Sequence, residues 1–310
     1  HEVNFAGEPG NWGDRFKARS MNYLDRRTDQ ASDGPFALFF WTGQPHLQAS
    51  DYAERYANMY SHATLDPKPS FDEDDVSDKP LWVRNLGRIG DHDRDQLKQW
   101  RRNQLRSVRQ VDDTMRAMLD LLKKRGELDN TYVVFTTDNS THMGEHRWFG
   151  DNGAKDTAYE EAANVPMFVR GPGIRAGSIS SDLVLNNDLA PTFVQIAGGS
   201  PPSFVDGRSL LPVWKGSNPT WRTAVMNERP IRDINPIPPY HALITQRYTY
   251  VEYETGEKEL YDRMDDPREL RSKHDDPAYA DTTAAFSLRL RALEGCEADA
   301  CRTAENEPTF

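Results

Sequence analysis

Residues 131–161 read TYVVFTTDNSTHMGEHRWFGDNGAKDTAYEE. The first seven are all β-branched or aromatic, a short run without helical period, as expected of a strand covered on both faces of a sheet. Asp138 and Asn139 fall where that strand runs out, and open α/β sheets place ligand sites at the carboxyl ends of their strands. A carboxylate beside an amide oxygen is a hard-cation donor pair, suited to calcium or magnesium rather than zinc. Taken alone, the same pair also fits an Asx turn or a helix cap. Downstream stand His142, His146 and Lys155, then Tyr159, Glu160 and Glu161. A single His or Lys is commonly a core or surface residue, but clustered after a strand end they can hold the oxygens of an anion.

Working outward, VPMFVR at 165–170 reads as a second strand, and PFALFFWT at 35–42, bounded by Gly34 and Gly43, as a third, buried one. His46 lies just beyond it; if the strands are neighbours, His46 and Asp138 would face one cleft edge. Between them, residues 94–125 place Leu97, Trp100, Leu105, Val108, Val111, Met115, Met118, Leu119 and Leu122 at three- and four-residue steps, which predicts one long amphipathic helix ending near Gly126. A weaker helical pattern covers 15–27. Residues 61–93 read as a long surface excursion, with the acidic run 72–75 solvated. Asp188 and Pro191 open a helix that stops at Gly198 and Gly199.

Strands alternating with helices imply an α/β body. After Trp214 the pattern changes to short strands at 223–226, 242–245, 248–253 and 259–261, then a helix over 282–293. The expected organisation is an α/β domain over 1–214 and a small α+β unit over 215–310. His241, beside Tyr240 at the head of a strand, is a candidate substrate contact on the rim.

The 310 residues suffice for one large domain plus a small one, and 37% apolar with 28% charged residues excludes disorder as the main state. With 49 acidic against 38 basic residues and a net charge of −11, free-standing nucleic-acid binding is disfavoured. No apolar stretch approaches the length of a membrane span. Cys296 and Cys301 are close enough for a small loop-closing disulfide, which favours an oxidising compartment, although two surface thiols fit the same spacing. Beginning at His1, the chain reads as a processed product or a fragment, so its own targeting signal is not legible.

Several of these segments, in this order, resemble sulfatases: PFALFFWTGQPH, PSFDEDDVSDKPLWV at 69–83, GELDNTYVVFTTDN at 126–139, KDTAYEE with VPMFVRGPG at 155–173, LNNDLAPTFVQIAG at 185–198 and VDGRSLLP at 205–212. The tail, with YVEYETGEKELYDRMDDPREL at 250–270 and the Cys296–Cys301 pair, is similar to the N-acetylglucosamine-6-sulfatase-like branch. The resemblance implies an alkaline-phosphatase-like α/β sandwich with a mixed, mostly parallel central sheet, and calcium-assisted hydrolysis of sulfate monoesters. It implies Asp138 and Asn139 as metal ligands, His46 and Lys155 as holders of sulfate oxygens, and His142 near the leaving-group oxygen or the sugar. The substrate it nominates is 6-sulfated N-acetylglucosamine of glycosaminoglycans, with aryl sulfates as an alternative, and the location is secreted, periplasmic or lysosome-like.

The chain departs from the family pattern at Ser140 and Ala154, where glycines are usual, and in a slightly longer span from His146 to Lys155. The family's nucleophile is a formylglycine made within a C/S-x-P-x-R motif. Neither cysteine has the required Pro and Arg, and Ser200-Pro-Pro-Ser has Phe204 in the Arg position. The early Asp pair for the metal is missing too. The expectation is therefore the C-terminal part of a sulfatase, lacking the N-terminal portion of the same protein, leaving a sheet edge unpaired and having no turnover alone. The alternatives are a phosphodiesterase or phosphatase relative with two transition metals, and a non-catalytic calcium-dependent glycan-binding protein.

Overall fold

The stripe of Leu97, Val111, Met118 and Leu122 produces one 34-residue helix, bounded by Asp91 and Asp93 in its first turn and Lys123 and Lys124 in its last. Each charge pair complements the helix dipole at its own end. The computed structural model describes residues 11–29, 34–46, 52–150, 154–217, 220–230 and 236–308. In chain order the elements are α1 (Trp12–Asp29), α2 (Leu81–Arg84), α3 (Asp91–Lys124), β1 (Val133–Phe135), α4 (Glu160–Ala163), β2 (Phe168–Arg170), α5 (Leu189–Ile196), α6 (Leu211–Trp214), β3 (Ala224–Arg229), β4 (Tyr240–Thr245), β5 (Tyr248–Tyr253), β6 (Lys258–Asp262), α7 (Ala280–Glu294) and α8 (Asp299–Asn306). The chain packs as two compact units, residues 1–66, 89–133 and 150–153 in the first, and 67–88, 134–149 and 154–310 in the second. This division by packing differs from a cut at residue 214.

In the first unit α1 lies along α3, and Leu24, Met118 and Leu122 form its apolar centre. Phe36, Leu38 and Phe40 pack against that centre while Phe39 and Trp41 are exposed. The period-2 alternation of a strand is therefore present in PFALFFWT, but no ladder is: residues 34–42 run without strand pairing. The expected buried strand is corrected to an extended segment anchored by its side chains. The Tyr23 hydroxyl and the Arg27 guanidinium donate to the carbonyls of Ala37 and Pro35, which a neighbouring strand would otherwise satisfy.

In the second unit β3–β6 form an antiparallel meander in sequence order. Alternation sorts its two faces. Leu243, Tyr248, Tyr250 and Leu260 meet Phe286, Leu290 and Leu293 of α7. The opposite face presents Tyr240, Ala242, Val251, Tyr253 and Tyr261 to Trp82, Val83, Ala158 and Tyr159. Both faces are covered, which explains why β5 is buried at five of its six positions. β1 and β2 form a separate two-stranded sheet, with Phe135 and Phe168 exposed and their rings 6.1 Å apart.

One sequence reading changes here and another is borne out. Asp72 and Glu73 are buried, not solvated, because ion partners from other segments enclose them; only Asp74 and Asp75 of the acidic run face solvent. Cys296 and Cys301 form a disulfide. It closes a short loop beside α8, so by the chain-entropy argument replacing both cysteines with alanine should cost about 2 kcal/mol in a denaturant melt. Among the described residues no helix is long and apolar enough to cross a membrane.

Candidate functional site

β1 ends at Phe135, and the chain then turns through Thr136 and Thr137 into Asp138 and Asn139. The turn is fastened from two sides. Asn186, just before α5, donates through Nδ2 to the carbonyls of Thr137 and Asp138, and the Ser140 N–H donates to the carbonyl of Ala162 in α4. With the backbone so held, the exposed Asp138 carboxylate accepts from the Thr137 hydroxyl at 3.1 Å and makes no ion pair among the described residues. Asn139 is half-buried beside it. An accessible carboxylate and amide oxygen on a fixed turn fit a calcium ion in donor chemistry, as two of the six to eight oxygens such an ion takes.

An antiparallel bridge between His142 and Ala154 joins the two halves of the 131–161 stretch, with the His142 N–H 2.8 Å from the Ala154 carbonyl. Lys155 is therefore the next residue after a fixed point. Its carbonyl accepts from the Trp148 indole at 3.3 Å, while its half-buried ammonium makes no ion pair among the described residues. His142 is buried, with Nε2 2.8 Å from the Thr157 hydroxyl and Nδ1 unpartnered. Burial, helped by nearby His146, pulls its pKa down to about 3, so it is neutral at physiological pH.

The structure thus brings Asp138, Asn139, His142 and Lys155 onto one fastened segment. His46, exposed after a turn closed by its N–H to the Gly43 carbonyl, belongs to the first unit, whereas these four belong to the second. His241 is elsewhere in the second unit, on the α7 side of the meander, 3.1 Å from Glu294 and 3.5 Å from Glu228. Its neighbour Tyr240 points to the opposite face, with its hydroxyl donating to Asn227.

Sequence reasoning missed a second constellation. His146 is fully buried, stacked on the Tyr159 ring at 4.1 Å, with Nδ1 2.7 Å from Glu73 Oε2 and Nε2 3.6 Å from Glu161 Oε2. Burial disfavours charge on the imidazole, but Glu161 and Glu73 outweigh it and push its pKa up to about 9. Glu161 is held at about 2, because the adjacent imidazolium outweighs its own desolvation. Glu269 is also fully buried, and burial pushes its carboxyl up to about 7. Lys79, fully buried, lies 3.5 Å from Glu73 and donates to the Glu269 carbonyl at 2.6 Å. Glu73 stood in a run that looked solvated and Glu269 lies far along the chain, so spacing carried no signal of either.

Comparison with known proteins places these residues in a family context. The family model described as Sulfatase matches residues 4–199, and that of the N-sulphoglucosamine sulphohydrolase C-terminal region matches 144–295. An arylsulfatase of Volvox carteri is 33% identical over 287 residues, which cover 80% of this chain and 43% of that protein. An N-acetylglucosamine-6-O-sulfatase of Bacteroides thetaiotaomicron is 36% identical over 192 residues, covering 59% of this chain and 33% of that protein. The chain therefore spans less than half the length of either relative. The solved structure of BT4656 in complex with its substrate, D-glucosamine-2-N,6-O-disulfate, superposes with a TM-score of 0.81 at 24% identity, covering 97% of this chain and 72% of that one. At that identity the likeness speaks for the fold, which is the alkaline-phosphatase-like α/β fold.

Proposed function

The chain belongs to the sulfatase family, and on that premise we propose that Asp138, Asn139, His142 and Lys155 form part of the pocket of a sulfate monoester hydrolase acting on a sulfated sugar, 6-sulfated N-acetylglucosamine of glycosaminoglycans foremost. What supports this reading most is a pair of opposite charges left without ion partners on one fastened segment, the Asp138 carboxylate and the Lys155 ammonium. In a chain whose described surface is rich in salt bridges, such a pair is matched to something the chain itself does not supply.

In the proposed assignment Asp138 and Asn139 contribute oxygens to a calcium ion. Bound there, calcium would supply Lewis-acid stabilisation of charge on the sulfuryl oxygens. Lys155 holds a sulfate oxygen through its ammonium, and as the charge on that oxygen grows toward the transition state the attraction grows with it, which is what lowers a barrier. His46 is proposed as a second holder of sulfate oxygens. His142 is neutral and can offer a lone pair or an N–H, according to tautomer, near the leaving-group oxygen or the sugar. His241 is retained as a proposed rim contact. The nucleophile is a formylglycine whose C/S-x-P-x-R motif is not within these 310 residues, so turnover requires that segment as well. The disulfide is consistent with a secreted or other extracytoplasmic setting.

The test is sulfate release from N-acetylglucosamine 6-sulfate by a protein containing these residues and the formylglycine segment, with calcium titrated. Calcium-dependent release is expected, and none from the 310 residues alone. Turnover of phosphodiesters with paired zinc or manganese, or glycan binding without hydrolysis in the presence of the nucleophile, would each replace this reading with another.

A further inference from the structure

We propose that His146, Glu161 and Glu269 bind one divalent transition-metal ion, zinc by donor chemistry, through a set that shares no residue with Asp138 and Asn139. One nitrogen or oxygen from each lies within 4.8 Å of the other two. Among the described residues it is the group of this kind with three buried members. Each residue is anchored at one atom and open at the other. Glu73 holds His146 Nδ1 at 2.7 Å, Ser70 donates to Glu161 Oε1 at 3.2 Å, and the Glu160 N–H donates to Glu269 Oε2 at 2.8 Å. The opposite atoms, His146 Nε2, Glu161 Oε2 and Glu269 Oε1, are buried and have no hydrogen-bond partner.

A carboxylate on the far nitrogen of a histidine is the outer-shell arrangement that fixes the tautomer and aims the ligating nitrogen. Tetrahedral zinc with bonds of ~2.1 Å separates its ligand atoms by about 3.4 Å, and His146 Nε2 stands 3.6 Å from Glu161 Oε2. The charges agree as well. Lys79 pairs with Glu73 at 3.5 Å and Lys68 lies 3.9 Å from Glu161, whereas the Glu269 carboxylate has no ion partner among the described residues, so a divalent cation would supply its counter-charge. His146 and Glu269 also carry positive φ angles, 52° and 54°, a backbone strain that packing must hold in place. The ion would tie the stretch that carries both His146 and Glu161 to Glu269, more than a hundred residues further on, which gives it a structural role independent of the sulfatase assignment.

The test is calorimetric titration of zinc into the metal-stripped full chain, with melting temperatures recorded alongside. One zinc per chain is expected, raising the melting temperature by ~2–4 °C or more at saturating ion. Glu269→Gln, which keeps an acceptor for the Glu160 N–H, should weaken binding more than ~10-fold, and Glu73→Gln by ~10–100-fold. Asp138→Ala should leave zinc binding unchanged. If Glu269→Gln does not fold, Glu161→Gln, which keeps the Ser70 contact, carries the test. No zinc binding by the parent chain, undiminished binding by these variants, or loss of zinc in Asp138→Ala would overturn the proposal.

Discussion

Lys155→Ala lowers kcat/KM for N-acetylglucosamine 6-sulfate by about two to four powers of ten in a protein that includes the formylglycine segment, the range for removing a principal electrostatic stabiliser. The size of the effect follows from where the ammonium stands. Its residue is positioned by the His142–Ala154 bridge and by the Trp148 indole on its carbonyl. Both restraints act on the backbone and survive truncation of the side chain. The ammonium has no ion partner among the described residues, so its removal leaves no buried carboxylate exposed and the melting temperature should stay within a degree or two of the parent. Lys155→Arg keeps the charge but replaces a compact ammonium with a planar fork, and should recover only part of the loss. Unchanged kinetics in Lys155→Ala would show that the sulfate-holding cation is a different residue.

The largest expected loss of stability is at Asp188. Its carboxylate is fully buried and forms a bidentate pair with the fully buried Arg222, at 2.7 and 2.8 Å. The same carboxylate accepts from the backbone N–H groups of Leu185 and Arg208, both at 2.7 Å. Arg222 keeps a second carboxylate, Glu305, 3.1 Å from its Nε, but breaking the bidentate member of a buried pair still typically costs about 3–5 kcal/mol. Asp188→Ala also strands the two N–H donors, so the loss belongs at the upper end of that range. Chemical denaturation of Asp188→Ala and of the double variant Asp188→Leu/Arg222→Met separates the terms. The double variant should be more stable than Asp188→Ala because no buried guanidinium is left without its bidentate partner, while Glu305 keeps Arg208 at 2.8 Å. A loss below about 1 kcal/mol in Asp188→Ala would mean that water reaches the pair.

Helices α1, α3, α5 and α7 were legible because their signals are local, whereas α2, α4, α6 and α8 carried none that was read. The stripe of α3, the opening of α5 at Asp188 and Pro191, and the alternation of β4 and β5 each repeat within a turn or two of chain, and each element formed within a few residues of expectation. PFALFFWT failed differently: its alternation was real, but a strand also needs a neighbour, and no property of eight residues states whether one is present. Asp138, Asn139, His142 and Lys155 were legible because one continuous stretch contains them. Whether His46 and His241 contribute depends on tertiary packing, which spacing does not encode. The His146, Glu161 and Glu269 group was invisible for the same reason. His146 and Glu161 share the 131–161 stretch, but Glu269 lies far outside it, and the burial that sets the behaviour of Glu269 is produced by residues distant from it in sequence.

The central claim is that Asp138 helps to hold a hard cation beside the sulfate site. Calorimetric titration of calcium into the formylglycine-containing protein and into its Asp138→Ala variant tests it most directly. One calcium per chain in the parent and none in the variant, with equal melting temperatures in calcium-free buffer, is the predicted result. Equal calcium affinity in the two proteins would contradict it.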